Sequence, residues 1–242
     1  MRASEPSTRR DGALDLLKWL ALLSMVLDHL RYVGWQLDML YVPGRLAFPW
    51  FCLAMAANLA RAGSAAPKGQ WRYLGWLLLF SALSEIPYRL FMANADTLNV
   101  LPTLALGLLV ARGWQSPGLH SRLLGLGALV LAALLGEHLM FGLFGVLLPL
   151  ATLLVIRRPG YWSLLPGAVC VAANEWQVLW PALRHGNDLA GAALLACLLA
   201  PWLGLALLRH ARNACPPPMR RWAYGLYPAH FLLLLGVRWI VT

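Results

Sequence analysis

Residues 14–30 read LDLLKWLALLSMVLDHL, an apolar run that carries ionisable residues near both of its ends. A membrane-spanning helix needs about 20 mostly apolar residues, so this run and its flanks predict the first span of a helical membrane protein. A charge in hydrocarbon costs roughly 2.5–3.5 kcal/mol on insertion scales. Asp28 and His29 therefore predict a polar interior and a functional site there; the alternative is a structural pair tied to a neighbouring helix.

The composition of the 242-residue chain favours a membrane protein over a soluble one. It is 60% hydrophobic and 12% charged, whereas soluble domains average about 45–50% apolar and about 25% charged residues. We expect a disordered cytoplasmic tail over residues 1–12 and one all-α polytopic bundle over 13–242. Nine apolar runs predict spans at 13–33, 43–60, 72–91, 98–112, 121–136, 139–157, 161–180, 188–208 and 222–241.

The charge distribution predicts the orientation of this bundle. If the N-terminus is cytoplasmic, fifteen of the twenty Lys and Arg residues fall on the inner side and five on the outer side, which is the positive-inside bias. The formal net charge of +10 therefore reflects topology, and nucleic-acid binding is not expected. Seven of the ten acidic residues fall in outer halves or outer loops, so we expect the chemistry towards the outer side.

Helical spacing separates Asp28 from His29. At about 100° per residue, Asp15, Lys18, His29 and Tyr32 share one stripe of the first helix. Adjacent residues do not face each other on a helix, so Asp28 and His29 do not form a dyad by themselves. We expect the partner that orients His29 to come from another helix. Arg45 on the second span is predicted to pair with Asp28 or Glu85, or to reach the interface with its charged end.

The third predicted span offers that orienting partner. Its polar face carries, at helical spacing, Ser81, Ser84, Glu85 and Tyr88. We predict that Glu85 orients His29; the alternative is a salt bridge between Glu85 and Arg89, four residues later.

Two further spans carry polar candidates. Asn99 and Thr103 share a face of the fourth span, and Tyr227 and His230 share a face of the last one. A single histidine at mid-depth also suits a packing hydrogen bond. Among the cysteines there is no CxxC pair, so neither a zinc site nor any other metal is predicted.

Five motifs occur along the chain: Asp15-Leu-Leu-Lys18 with Met25-Val-Leu-Asp28-His29; Gly44-Arg45-Leu-Ala-Phe48-Pro49; Ser84-Glu85-Ile-Pro87-Tyr88; Leu98-Asn99 with Thr103-Leu-Ala-Leu-Gly107; and Tyr224-Gly-Leu-Tyr227-Pro228-Ala-His230. Together they resemble the TraX family, membrane acetylases that N-acetylate the amino terminus of F-type conjugative pilin. One departure from the pattern is Glu137-His138-Leu-Met-Phe-Gly142, where an Asp-Tyr-Gly is expected before the sixth span.

The resemblance implies an acetyl-CoA-dependent acetyltransferase of the bacterial inner membrane that acts in conjugation on a pilin-like protein. The protein would then be embedded in the lipid bilayer. The basic residues on its cytoplasmic side would bind the phosphates of CoA. An isolated imidazole titrates at about pH 6.5, so His29 is the candidate base or, alternatively, the nucleophile. Glu85, Asp28 and His230 complete the catalytic candidates, and the candidates for binding substrate or CoA are Lys18, Arg45, Asn99, Tyr88 and Tyr227.

Three alternatives remain at this point. The first-helix pattern is also similar to that of membrane acyltransferases that acetylate sugars, which makes a surface glycan a possible acceptor. A small proton-coupled transporter would use Asp28, His29 and Glu85 as a proton relay. A non-enzymatic chaperone for pilin subunits would bind the acceptor without modifying it.

Overall fold

The computed structural model describes residues 11–62, 67–160, 162–174 and 176–241, and all regular structure in these residues is helical. Three short 3₁₀ turns accompany the α-helices. In chain order the helices are α1 Gly12–Leu30, α2 Tyr41–Gly44, α3 Ala47–Ala62, α4 Pro67–Phe91, α5 Val100–Gln115, α6 Leu119–Leu134, α7 Gly142–Arg157, α8 Leu165–Ala173, α9 Trp176–Arg184, α10 Asp188–His210 and α11 Leu226–Val241.

Helices lie in each of the nine predicted runs. Within the described ranges, three helical segments are long and apolar enough to cross a membrane: Asp38–Ala62, Asp188–His210 and Arg221–Val241. The helices α6 and α7 are apolar but shorter. Large apolar side chains cover the outside of the bundle, for example Ile86, Leu134 and Ile240. Such an apolar exterior is typical of a protein surrounded by lipid.

The single span predicted at 161–180 is wrong, because the helix breaks within it. The backbone leaves the helical region at Asn174 (φ −102°, ψ 42°), which ends α8 after nine residues. The Asn174 amide bonds to the Cys170 carbonyl (2.8 Å) and accepts a hydrogen bond from Arg45 (2.8 Å). With these two hydrogen bonds, the Asn174 side chain compensates for hydrogen bonding that the backbone loses where the helix is interrupted.

The helix α1 begins at Gly12, inside the tail predicted over residues 1–12. Residues 1–10 of that tail lie outside the described residues. Asp11 caps α1 by accepting a hydrogen bond from the Leu14 amide (3.1 Å), and Gly12 is already helical. Because α1 ends at Leu30, Tyr32 lies in the turn beyond the helix and does not extend its inward stripe.

Close helix contacts organise the core. The core includes Met55, Leu104, Leu108 and Leu148 from α3, α5 and α7. A Cβ added to Gly113 of α5 would lie 2.9 Å from the Gly125 Cα of α6. Small residues at such a crossing let two membrane helices approach closely.

Several chain segments meet at one end of the bundle. Arg61 at the end of α3 binds Asp11 (2.8 Å), and Gln115 at the end of α5 donates to the Leu59 carbonyl (2.9 Å). Trp19 donates to the Pro217 carbonyl (2.9 Å), which holds the proline-rich segment before α11 against α1. We call this the basic end, because these segments carry Lys18, Arg61, Arg112, Arg220 and Arg221.

Candidate active site

The candidate site is built around two histidines from different helices. Nδ1 of His29, on α1, lies 3.1 Å from Nε2 of His230, on α11. The rings of Phe91 and Phe231 pack against His29 with centroid distances of 6.2 and 5.1 Å. The orienting partner does come from another helix, but it is His230 and not Glu85.

The contact between the rings requires a proton on one of the two facing nitrogens. Nδ1 of His230 is buried and has no hydrogen-bond partner among the described residues. If Nδ1 of His29 carries the shared proton, His29 donates to Nε2 of His230. Nε2 of His29 then carries a lone pair, which is the form that a base or nucleophile needs.

Asp28 belongs to an ionic cluster beside the histidines. Its carboxylate binds Arg45 (2.9 Å) and Arg31 (3.1 Å), and Arg45 also donates to Asn174 (2.8 Å). Both guanidinium groups lie over the Tyr41 ring, at 4.2 and 4.6 Å. Of the alternatives predicted for Arg45, the pairing with Asp28 is observed, and Arg45 joins Asp28 of α1 to Asn174 at the α8 break.

Gly44 makes this ionic cluster possible. A Cβ at position 44 would lie 2.5 Å from the Asp28 Cβ, so α2 approaches α1 at a distance that only glycine allows. The close approach brings Arg45 next to Asp28. Nε of Arg45 is buried and has no hydrogen-bond partner among the described residues.

Glu85 has a different role from the predicted one. Its carboxylate binds Arg89 (2.7 Å), the amide side chain of Asn99 (2.7 Å) and the Asn99 backbone N–H (3.1 Å). Asn99 also donates to the Ser81 carbonyl and caps α5 by accepting from Leu101. The prediction that Glu85 orients His29 is wrong: Glu85 forms the alternative salt bridge to Arg89, and its contacts with Asn99 join α4 to α5.

Tyr88 and Thr103 are likewise used in packing. The Tyr88 hydroxyl is 3.4 Å from the Thr97 hydroxyl, and Thr103 donates to the Met140 carbonyl (2.8 Å). Neither Tyr88 nor Asn99 lines the two cavities described next, and their predicted binding roles stay predictions.

A large cavity of about 680 Å³ extends from the basic end into the bundle. Its walls include the cations Lys18, Arg72, Arg220 and Arg221 together with apolar side chains of α1, α3, α4 and α5. Lys18 also forms an ion pair with Asp15 (3.5 Å). We call this space the donor cavity, and its basic mouth suits an anionic ligand with an apolar arm.

A second cavity of about 60 Å³ lies beside the histidine. It is lined by His29, Asp28, Arg45 and Asn174 and by the aromatic rings of Phe48 and Phe141; we call it the histidine chamber.

The two cavities share four wall residues, Met25, Phe51, Val100 and Tyr227. We call these four residues the neck. The Tyr227 hydroxyl accepts a hydrogen bond from the Val100 amide (3.2 Å), which fixes one side of it. The donor cavity, which Lys18 lines, is therefore adjacent to the histidine chamber, with the neck residues between them.

The family model of the TraX protein matches residues 13–238. The chain belongs to the TraX family. Protein TraX of Escherichia coli is 26% identical to it over 239 residues, which cover 93% of this chain and 87% of that relative. No solved structure matches the chain.

In this TraX-family chain, sequence reasoning missed the residues between the two cavities. Met25, Phe51 and Val100 form the neck, but apolar residues in apolar helices give no sequence signal. Asn174 had a usable signal, since it lies with Glu175 and Gln177 inside a predicted span, and such polar residues favour a helix break or a buried partner.

Proposed function

We propose that the protein is an integral membrane acetyltransferase. It takes the acetyl group of cytoplasmic acetyl-CoA and transfers it to the amino terminus of a pilin-like protein at the outer side of the bacterial inner membrane. The observation that carries this proposal is that a cavity with a basic mouth lies next to a histidine held by a second histidine, with only the neck residues between them. Membership of the TraX family supports the pilin acceptor.

The donor cavity suits acetyl-CoA in size and charge. Ligand cavities usually measure about 300–1,000 Å³, and this one measures about 680 Å³. Arg72, Arg220 and Arg221 offer charge-assisted hydrogen bonds to the phosphates. The pantetheine arm then lies along the apolar wall, and the thioester reaches the neck beside Tyr227.

His29 supplies the proton transfer in this proposal. An amino terminus has a pKa of about 7.7–8.0 and must lose a proton to attack a thioester. The amine nitrogen forms a bond to the acetyl carbon, the carbon–sulfur bond breaks, and Nε2 of His29 takes the amine proton and returns it to the CoA thiolate. His230 accepts the Nδ1 hydrogen bond and thereby stabilises the imidazolium.

Arg45 supports the same step. Negative charge develops on the thioester oxygen as the amine attacks, and the guanidinium of Arg45, which lines the histidine chamber, suits that oxygen. Since Asp28 and Asn174 bind two nitrogens of the guanidinium, its position is set before the substrate arrives. Preorganised donors of this kind lower the barrier because they need no rearrangement during the reaction.

A covalent route uses the same residues. Nε2 of His29 would attack the thioester, release CoA and carry the acetyl group until the amine removes it. Ping-pong kinetics would identify this route, and a required ternary complex would identify direct transfer.

The proton-relay alternative has less support. Asp28 and Glu85, the carboxylates that a relay would use, are each ion-paired with an arginine and accept further hydrogen bonds. A glycan acceptor would use the same donor cavity and the same histidine, so the acceptor must be identified by experiment.

Mass spectrometry of membrane proteins and surface glycans, from cells with and without this protein, tests the proposal. We expect an added acetyl group on the amino terminus of a pilin-like subunit only when the protein is present. Acetylation found only on a glycan would show that the acceptor is a glycan and not a pilin-like protein. Solute uptake into vesicles without consumption of acetyl-CoA would contradict the proposed acetyltransferase activity.

A further inference from the structure

The histidine chamber contains an aromatic stack that the proposed chemistry does not use. The rings of Phe48, on α3, and Phe141, just before α7, lie 4.2 Å apart at 18°. Both line the histidine chamber and neither lines the donor cavity. An acyl group that comes through the neck from the donor cavity therefore meets these two rings only after it has entered the chamber.

The backbone holds Phe141 in an unusual conformation. Its φ is 68°, the only positive φ of a non-glycine residue in the described chain. Left-handed conformations disfavour side chains other than glycine and persist where the surroundings impose them. Gly145 donates to the Phe141 carbonyl (2.8 Å), and a Cβ at Gly145 would lie 2.6 Å from the Phe141 Cβ. The chain is thus built closely around this ring.

The partner ring is equally constrained. Phe48 is 5% exposed and belongs to the main core together with Cys52 and Leu104. A wall made of two stacked rings in a packed core cannot retreat for a longer ligand without repacking. The chamber therefore has a fixed depth.

We propose that Phe48 and Phe141 form the far wall of an acyl pocket and restrict the donor to short acyl-CoA thioesters. This inference rests on the proposed acyl transfer. A cavity needs roughly 10–15 Å³ for each water-sized group, so the chamber of about 60 Å³ takes about four to six such groups. An acetyl thioester brings four heavy atoms, counting its sulfur, and a hexanoyl thioester brings eight.

The donor cavity makes this selection necessary. Its apolar wall would accept a long acyl chain as readily as the pantetheine arm, so it offers no discrimination by chain length. In the chamber, by contrast, each methylene beyond the available space must displace a ring. One methylene in an apolar pocket changes specificity by about 10- to 200-fold, which is enough for the wall to determine the donor.

The test measures CoA release with acetyl-, propionyl-, butyryl- and hexanoyl-CoA by the full-length protein in lipid nanodiscs. The variants are Phe141→Gly, which suits the positive φ, and Phe48→Ala. Phe80→Ala is the matched control, because Phe80 also stacks on an aromatic ring, that of Tyr224 (5.5 Å), but lines neither cavity.

We expect the wild-type protein to prefer acetyl-CoA over hexanoyl-CoA by at least about a hundredfold in kcat/KM. Either wall variant should reduce that ratio at least about tenfold, while Phe80→Ala leaves it unchanged. If kcat/KM of the wild-type protein for hexanoyl-CoA is within tenfold of that for acetyl-CoA, the inference is overturned. This outcome needs no variant, so the test holds even if a variant does not fold.

Two other outcomes distinguish a failure of this inference from a failure of the proposed function. Unchanged ratios in both folded wall variants, with acetyl transfer intact, overturn the inference and leave the proposed function standing. No CoA release by the wild-type protein from any of the four donors, in the presence of a pilin-like peptide with a free amino terminus, overturns both.

Discussion

The donor cavity and the histidine chamber differ in almost every physical respect although they share one neck. The donor cavity is about ten times larger, with about 680 Å³ against about 60 Å³. Its charges stand at a mouth near water, where salt screens them. The chamber holds its charges in pairs: the side chains of Arg45 and Asp28 are 12% and 17% exposed. In the proposed mechanism, donor binding and chemistry are thus separated in space.

This separation has an energetic reason. Interactions that bind donor and transition state equally lower KM, whereas only interactions that strengthen in the transition state raise kcat. A solvated basic mouth suits the first purpose, because it recognises phosphates that do not react. A small chamber with preorganised donors suits the second. Substitutions in the two regions should therefore have different kinetic signatures.

The largest effect should come from His29. We expect His29→Gln to reduce acetyl transfer about 10²- to 10⁴-fold, because the amine loses its proton acceptor, while CoA binding to the donor cavity is unchanged. His120→Gln is the matched control, since His120 is exposed on α6 and lines neither cavity. Rates of CoA release and CoA affinity by calorimetry check this; a fully active His29→Gln protein would remove His29 from the mechanism.

The ionic cluster should affect stability next most strongly. Arg45→Ala leaves the Asp28 carboxylate with Arg31 alone, and the loss of a hydrogen bond between charged groups costs about 1.5–3 kcal/mol in the free energy of unfolding. Arg61→Ala at the basic end removes a pair whose side chains are 46% and 38% exposed, which is worth about 0–1 kcal/mol. Denaturant titration in detergent measures both. Equal losses would show that burial does not distinguish the two regions.

His230 should act through His29. We expect His230→Leu to lower kcat about tenfold to a hundredfold with little change in KM, because His29 loses the acceptor for its Nδ1 proton. His230→Gln, which keeps an acceptor, should restore part of the rate and shift the pH–rate profile back towards that of the wild type. Equal rates for the two variants would mean that His230 only fills space.

The basic mouth should show the smallest effect and a different signature. Arg220→Gln with Arg221→Gln should raise KM for acetyl-CoA about fivefold to tenfold at unchanged kcat, and added salt should reduce the difference. Arg157→Gln with Arg158→Gln is the control, since this exposed pair lies outside the donor cavity. A fall in kcat without a change in KM would contradict a pure binding role.

Periodicity predicted the helices well because apolar runs in a bilayer leave few alternatives. Helical geometry separated Asp28 from His29, since it is local, whereas the pairing of Asp28 with Arg45 was one of three alternatives that the sequence left open. The break at Asn174 was less accessible, because it depends on a hydrogen bond to Arg45, a residue 129 positions away in sequence.

The partner of His29 shows where sequence reasoning stops. Glu85 and His230 were both chemically suitable, and only the packing of α11 against α1 and α4 decides between them. The neck and the wall of the chamber consist of apolar and aromatic residues, whose functional positions are set by the whole fold. Charged residues and their helical spacing predict where a site can form. The packing of the helices determines which of these residues contact each other.

A structure of the protein with a non-hydrolysable acetyl-CoA analogue tests the central claim most directly, because that claim is a single path from the basic mouth to His29. We predict phosphates at Arg72, Arg220 and Arg221, the pantetheine arm through the neck, and the acyl carbon next to Nε2 of His29. An analogue bound elsewhere, or a donor cavity filled with lipid chains while the analogue stays outside, would contradict the account.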